Sequence, residues 1–177
     1  MRFFFFITIF ICTSGVFAME LSEVGRVYLF SRISGVITLN GAPVKNATLV
    51  RTASRNSQKV DETQTDEFGH FSFPAVTERT ITKFLPQEFV ASQKIVVQYL
   101  GKEYVMWTGI KRERHEFVES RGKPLIVTCE LNSELSYVNI GSTFIHSLCK
   151  WDVESDPPIN WDEMGVFDSE AKKNDSN

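Results

Sequence analysis

The sequence predicts an all-β fold, a sandwich of seven short strands followed by an irregular C-terminal tail. Apolar residues alternate or cluster in short runs, and turn residues separate these runs at close spacing. No window of a dozen residues keeps a helical period. Many short strands joined by tight turns are typical of β-sandwiches, so this is the fold class we expect.

Seven segments have the alternation or the β-branched and aromatic content of strands, and most are bounded by turn residues. Residues 54–59 are polar and are predicted to form a loop, and residues 79–90 are hardest to interpret because Leu85-Pro86 interrupts them. The last strong strand is expected at 125–131. The predicted strands are 35–39, 47–51, 60–65, 70–73, 94–99, 103–108 and 125–131.

The N-terminus has the pattern of a secretory signal peptide over residues 1–18. Arg2 supplies a positive start, Phe3–Cys12 is almost wholly apolar, and Ala18 precedes the expected cleavage point. The alternative is a buried N-terminal strand or helix, which four consecutive phenylalanines at the start disfavour. We expect an exported protein, periplasmic in a Gram-negative bacterium and otherwise extracellular, that spans no membrane once the signal is removed.

Charge excludes one class of partner. Residues 1–18 contain one arginine and no acid, so the net charge of −3 becomes −4 after their removal. A mildly acidic chain has no electrostatic attraction to nucleic acid or to anionic lipid. The remaining chain is predicted to comprise a sandwich domain at 19–149 and a tail at 150–177.

Two cysteines, Cys129 and Cys149, remain after removal of the signal peptide. In an oxidising compartment such a pair favours a disulfide, which would close a loop of about 20 residues. The alternative is a zinc site in which His146 joins the two cysteines. It lacks an obvious fourth ligand.

One double motif resembles the carboxypeptidase regulatory-like domains. It comprises 34–50, with Asn40-Gly41 at a tight hairpin, and 65–73, with Asp66 and Gly69 at a second turn. The resemblance implies a seven-stranded transthyretin-like, or prealbumin-like, sandwich. Its candidate core residues are Val36, Leu39, Val44, Ala47, Leu49, Phe71 and Phe73.

A second segment, from Gln93 through Tyr99, Gly101 and Tyr104 to Trp107, resembles a small family of uncharacterised exported bacterial proteins. In that family the regulatory-like domain stands alone. The resemblance implies a fold and a compartment rather than an activity.

The sequence favours a protein without catalytic activity or cofactor. The histidines after residue 18 are His70, His115 and His146, and no hydrolase elbow, phosphate loop or metalloprotease motif accompanies them. The C-terminal signature of the transthyretin-like hydrolases is absent as well. His70 is interpreted as a solvated turn residue, His115 as part of a solvated charged connection, and His146 as a neighbour of the disulfide.

Binding is therefore the expected function, and the leading hypothesis is a periplasmic module that binds another protein. A concrete version is an immunity protein, which occludes a toxin delivered by a neighbouring cell. The alternative is a carbohydrate-binding or surface-adhesion module that uses Tyr99, Tyr104 and Trp107, although core packing suits these aromatics better. An enzyme of unknown type is the third hypothesis.

The C-terminal tail carries the candidate partner-binding residues. Residues 150–177 contain eight acids and three bases, which makes the tail strongly acidic. Aromatic anchors with steering carboxylates would suit a basic partner surface, whereas the alternative is that the aromatics pack back onto the sandwich. The candidate residues are Trp151, Trp161, Asp162, Glu163 and Phe167.

Overall fold

The computed structural model describes residues 25–80 and 88–157. Within these ranges every regular element is a β-strand apart from one 3-10 turn at Val118–Ser120, which confirms the all-β class. The predicted signal peptide lies outside the described residues, and so does most of the predicted tail.

The described residues form thirteen strands, more than the seven expected from the sequence. Most of the additional ones are short or lie in polar segments whose alternation is weak, but one, Arg26–Phe30, is mainly apolar. The strands are β1 Arg26–Phe30, β2 Ile33–Leu39, β3 Ala42–Pro43, β4 Thr48–Ser54, β5 Gln58–Gln64, β6 His70–Phe73, β7 Val76–Arg79, β8 Ala91–Tyr99, β9 Lys102–Lys111, β10 Leu125–Glu130, β11 Ser136–Ile140, β12 Thr143–Ser147 and β13 Cys149–Lys150.

These strands form three sheets. The largest has six strands in the order β11-β12-β9-β8-β4-β5, with every neighbouring pair antiparallel. A second has five strands, in which β2 pairs with β10 in parallel and with β3 and β6 in antiparallel. Strands β1 and β7 form a small third sheet. The arrangement is sandwich-like.

Two boundaries differ from the sequence prediction. The loop expected at 54–59 is shorter, because β4 continues to Ser54 and β5 begins at Gln58. The strand at 125–131 is not the last, since β11, β12 and β13 follow it. Polar residues fill much of these later strands, so hydrophobic alternation alone does not reveal them.

The core lies between the larger sheets and takes alternate residues from their strands. Five of the seven expected core residues are buried, but Val36 and Leu39 are only half-buried. Side chains in a strand change face at every residue, so positions 36 and 39 cannot both face the core. Ile37 is buried instead.

The predicted disulfide is confirmed. Cys129 in β10 and Cys149 in β13 are cross-strand partners joined through their sulfurs. The bond occupies both thiols, so the zinc alternative at these residues is wrong. Within the described ranges no group of three or more histidine, cysteine or acidic side chains is arranged to hold a metal ion.

Both motif turns bring a glycine into the left-handed region of backbone space. Asn40 and Gly41 have φ of 53° and 77°, and Gly69 has φ of 78°. Asp66 supports the second turn, because its Oδ1 accepts hydrogen bonds from the backbone N–H groups of Phe68 and His70, at 2.8 Å each.

Candidate functional site

A buried ion pair lies beneath the connection between β9 and β10. Lys111 Nζ is 3.0 Å from Glu119 Oε2, and neither side chain has any exposed surface. Ser31 Oγ donates to the same oxygen at 2.5 Å, and Gln93 Nε2 donates to Oε1 at 2.7 Å. The carboxylate is thus surrounded by donors, which a charge removed from water requires.

The electrostatics of the pair follow from burial and contact. Burial alone would raise the pKa of Glu119, but the Lys111 ammonium and the donors from Ser31 and Gln93 hold it below its ordinary value. Burial lowers the pKa of Lys111, and the Glu119 carboxylate opposes that effect. Since the two side chains are enclosed, they cannot exchange a proton directly with a ligand on the surface.

This network positions Phe117. The Phe117 N–H donates to Ser31 Oγ at 2.7 Å, and the residue has φ of 60°, in the left-handed region that bulky side chains rarely adopt. The Trp151 indole N–H reaches the same turn and donates to the Glu119 carbonyl at 2.8 Å. Strain of this kind persists only where the surroundings enforce it, and it is common at binding sites.

Phe117 forms one wall of an open groove at the N-terminal ends of the parallel strands β2 and β10. We call it the β2–β10 groove. Its volume is about 590 Å³. Strand β10 contributes Ile126, which has an exposed fraction of 64% and lies opposite Ser34 of β2, outside the two positions at which β10 pairs with β13. The lining residues are Arg32, Ile33, Ser34, Ser72, Phe73, Pro74, Ala75, Phe117, Pro124, Leu125 and Ile126.

Few polar groups face this groove. Ser34 and Ser72 are cross-strand partners and contribute hydroxyls. Arg32 lies at the rim with its guanidinium 5.7 Å from the centre of the Phe117 ring, and its Nε donates to Glu116 Oε1 at 2.8 Å. None of the lining residues is an acid, a histidine or a cysteine. The arrangement suits the binding of an apolar group beside a charged rim.

Trp151 packs inward. Its ring centre is 5.1 Å from that of Trp107, which is fully buried, and its indole N–H is bonded to the Glu119 carbonyl. It is half-buried against the core and thus follows the alternative in which the tail aromatics pack back. The other candidates, Trp161, Asp162, Glu163 and Phe167, lie outside the described residues.

The aromatic residues of the predicted carbohydrate site do not form an exposed platform on which a ligand could stack. Trp107 is fully buried, while Tyr99 and Tyr104 are half-buried against the core. Trp107 therefore cannot contact a ligand from solvent. On the outer face of the six-stranded sheet, the rings of Tyr137 and Phe144 stack at 6.4 Å with an interplanar angle of 19°.

All three described histidines are exposed. The His70 Nδ1 lies 3.1 Å from Asp66 Oδ2 beside the turn. His146 is not packed on the disulfide as expected, because it points to the outer face of the six-stranded sheet, 5.1 Å from the Tyr137 ring. Alternation within β12 buries Ile145 and Ser147 and leaves His146 exposed, whereas Cys149 belongs to β13 of the other large sheet.

Sequence reasoning missed the residues that build the site. Lys111 belongs to a run of charges that was interpreted as a solvated connection, and Glu119 follows in the same polar segment. The sequence contains only a weak indication that Lys111 is buried. It is the last residue of a long strand rich in β-branched and aromatic residues, where a charged side chain can point inward. The ion pair with Glu119 and the hydrogen bond to Ser31 Oγ compensate for the burial of its ammonium group.

A protein-family model covers most of the residues that form this site. A family model described as "Domain of unknown function (DUF6795)" matches residues 33–134, more than half of the chain. The chain belongs to this family. No curated protein and no solved structure matches the chain. Every residue that lines the β2–β10 groove except Arg32 falls inside the matched range.

No helix in the described ranges is long and apolar enough to cross a lipid bilayer.

Proposed function

We propose that this protein is an exported, non-enzymatic binding module that receives an apolar side chain of another protein in the β2–β10 groove. An immunity protein that occludes a delivered toxin is the concrete form of this proposal. The observation that carries it is the exposure of Ile126 within an apolar groove, because contiguous exposed apolar surface often marks a binding site.

The shape of the groove supports a protein partner. Its walls are mainly apolar, with the hydroxyls of Ser34 and Ser72 among them, and its rim carries the Arg32–Glu116 ion pair, an arrangement similar to the apolar centre and polar rim of protein interfaces. The wall residue Phe117 is held rigidly by the buried network below it. A preformed wall reduces the entropy lost on binding.

Export is part of the same proposal. The Cys129–Cys149 disulfide is consistent with an oxidising compartment, which is the periplasm in a Gram-negative bacterium and the extracellular space otherwise. We propose as well that the sandwich is of the transthyretin-like type. The adjacency of the two motif halves supports this, since β2 and β6 pair from Ile33↔Phe73 to Val36↔His70.

A matched pair of isoleucine variants tests the groove. Ile126→Lys places a charge in the groove, while Ile110→Lys changes an isoleucine with an exposed fraction of 42% on the other sheet. We expect protein partners captured from the exporting organism to be retained by the wild type and by Ile110→Lys. Ile126→Lys should lose them while its melting temperature stays close to that of the wild type.

Equal capture by the two variants would contradict the assignment of the groove. A groove variant that is folded and still binds at full strength would do the same. Isothermal titration with the purified partner then quantifies the loss, which we expect to be about tenfold or more for a charge introduced into an apolar contact.

The second candidate function is carbohydrate binding at the Tyr137–Phe144 pair. Nearly parallel rings on the outer face are a surface on which a sugar ring can stack, and Lys94 of β8 and His146 of β12, which line one pocket with Phe144, can supply hydrogen bonds. Retention on glycan resins that Tyr137→Ala abolishes and Ile126→Lys preserves would favour this function over the protein partner.

A further inference from the structure

We propose that two copies of this chain associate through the edges of their six-stranded sheets, with β5 antiparallel to β5 of the second copy and Val60 facing Val60. This inference does not depend on the proposed function of the groove. It rests on a free strand edge and on the charge pattern along it.

Strand β5 leaves one edge of the six-stranded sheet open. Among the described residues it pairs with β4 alone, from Thr48↔Gln64 to Ser54↔Gln58. An edge strand of seven residues presents unpaired backbone groups that can bond to another strand. It is a surface on which a partner strand can add.

The opposite edge of the same sheet is covered by the chain itself. The Asn139 N–H in β11 donates to Ser155 Oγ at 3.0 Å, and the Asn139 carbonyl accepts from the Asp156 N–H at 2.7 Å. The segment that follows β13 thus occupies the β11 edge. The two edges differ, because no segment in the described part of the chain other than β4 pairs with β5.

Alternate side chains of β5 lie on opposite faces of the sheet. Gln58, Val60, Glu62 and Gln64 are exposed, and Val60 has an exposed fraction of 57%. Lys59, Asp61 and Thr63 are half-buried and point to the inner side, where Lys59 Nζ donates to the Thr77 carbonyl and Asp61 pairs with Arg51.

Inward charges on an edge strand discourage pairing with an uncharged strand. Two antiparallel copies of β5 can match these charges, because residues directly opposite each other share a face. With Val60 on the two-fold axis, Lys59 of each copy lies opposite Asp61 of the other, and Gln58 lies opposite Glu62.

Neighbouring registers that keep the faces aligned are less favourable. A register centred on Asp61 places two carboxylates opposite each other, and a register centred on Lys59 places two ammonium groups together. Like charges directly opposite each other are destabilising. The register centred on Val60 also brings together the two exposed apolar side chains, so the second copy fits this edge in one alignment.

The interface is small, since one pair of edge strands buries less than a standard protein interface. We therefore expect a dimer that dissociates on dilution. Analytical ultracentrifugation over a concentration series should show a mass that rises from monomer to dimer. A protein that remains monomeric at the highest soluble concentration overturns the proposal.

Charge variants test the surface. Val60→Lys puts two positive charges on the axis and should abolish the dimer, and Lys59→Glu should raise its dissociation constant by about tenfold through loss of both Lys59–Asp61 pairs. Val105→Lys is the matched control, because Val105 lies on the outer face of the same sheet away from the edge, with an exposed fraction of 40%. It should leave the dimer intact. Persistence of the dimer in Val60→Lys overturns the proposal.

Cysteine cross-linking tests the register. In Val60→Cys the two new thiols lie opposite each other, with Cβ atoms about 5 Å apart, so mild oxidation should produce a disulfide-linked dimer on a non-reducing gel. In Glu62→Cys the thiols are separated by four residues along the strands, about 14 Å. We expect little cross-linking there, and the wild type treated identically controls for the native cysteines. Equal cross-linking at both positions, or none at position 60, overturns the register.

Discussion

At the residue scale, the buried pair of Lys111 and Glu119 determines how the β9–β10 connection is held. Its atoms reach Ser31 near β1 and Gln93 in β8, so one carboxylate joins parts of the chain that are distant in sequence. The turn that carries Glu119 also carries Phe117, the wall of the groove. Removal of one charge therefore affects stability and the site together.

We expect Glu119→Gln to lower the free energy of unfolding by about 3 kcal/mol, because it leaves the Lys111 ammonium buried without a counter-charge. Urea unfolding monitored by circular dichroism measures the loss. The matched control is Glu116→Gln, whose partner Arg32 is exposed; it should change stability by less than about 1 kcal/mol. Addition of Lys111→Met to Glu119→Gln should recover part of the loss. Equal stability of the two glutamine variants would contradict this role.

At the element scale, each of the two motif turns places a glycine at positive φ, but the surroundings of the two glycines differ. Gly41 has open space where a Cβ would stand, whereas a Cβ on Gly69 would lie 2.5 Å from the Ile37 carbonyl oxygen. Glu130 in β10 anchors the first turn. Its carboxylate accepts the Gly41 and Asn40 N–H groups, which hold the pKa of Glu130 below its ordinary value.

The difference in surroundings predicts unequal effects of alanine. Gly41→Ala should lower the free energy of unfolding by about 1 kcal/mol, the conformational cost of positive φ. Gly69→Ala should lower it by at least about 2 kcal/mol, because the backbone must also move away from Ile37. Gly101→Ala, at φ of 73° with open space, is the control and should match Gly41→Ala. Equal melting temperatures for the two motif variants would be inconsistent with this packing.

At the scale of the whole molecule, the Cys129–Cys149 disulfide joins β13 to β10 in the five-stranded sheet. The loop that it closes contains β11 and β12, which belong to the six-stranded sheet. Trp151 follows directly and packs on Trp107. The loop closed by the bond therefore spans both large sheets, and the segment that covers the β11 edge follows shortly after it.

We expect the protein from its native compartment to contain no free thiol at these positions. Substitution of both cysteines by alanine should lower the free energy of unfolding by about 3 kcal/mol, as expected for a loop of this length. Denaturant unfolding with and without dithiothreitol provides the comparison. Reduction should destabilise the wild type by a similar amount and leave the double variant unchanged. Labelling of Cys129 and Cys149 without prior reduction would refute the prediction.

Some features of this fold depend on short stretches of sequence and are predictable from it. The all-β class follows from alternation, and the positive φ of Asn40, Gly41 and Gly69 follows from residues that tolerate it. The disulfide follows from the presence of two cysteines in a chain with a predicted signal peptide. Each of these inferences uses neighbouring residues or composition, so no knowledge of distant contacts is needed.

The candidate site and the unpaired edge of β5 depend on contacts between distant segments, so only the tertiary structure identifies them. Lys111 belongs to a charged run that the sequence predicts to be solvated, but Ser31 and Glu119 enclose its ammonium group. Ile126 lies in a predicted strand, and the sequence alone does not show that its side chain is exposed. Whether an edge is free depends on which distant segment covers it, as residues 155 and 156 cover β11 but not β5. Burial of a charge and exposure of an apolar group are properties of contacts between residues far apart in sequence, which a local pattern does not contain.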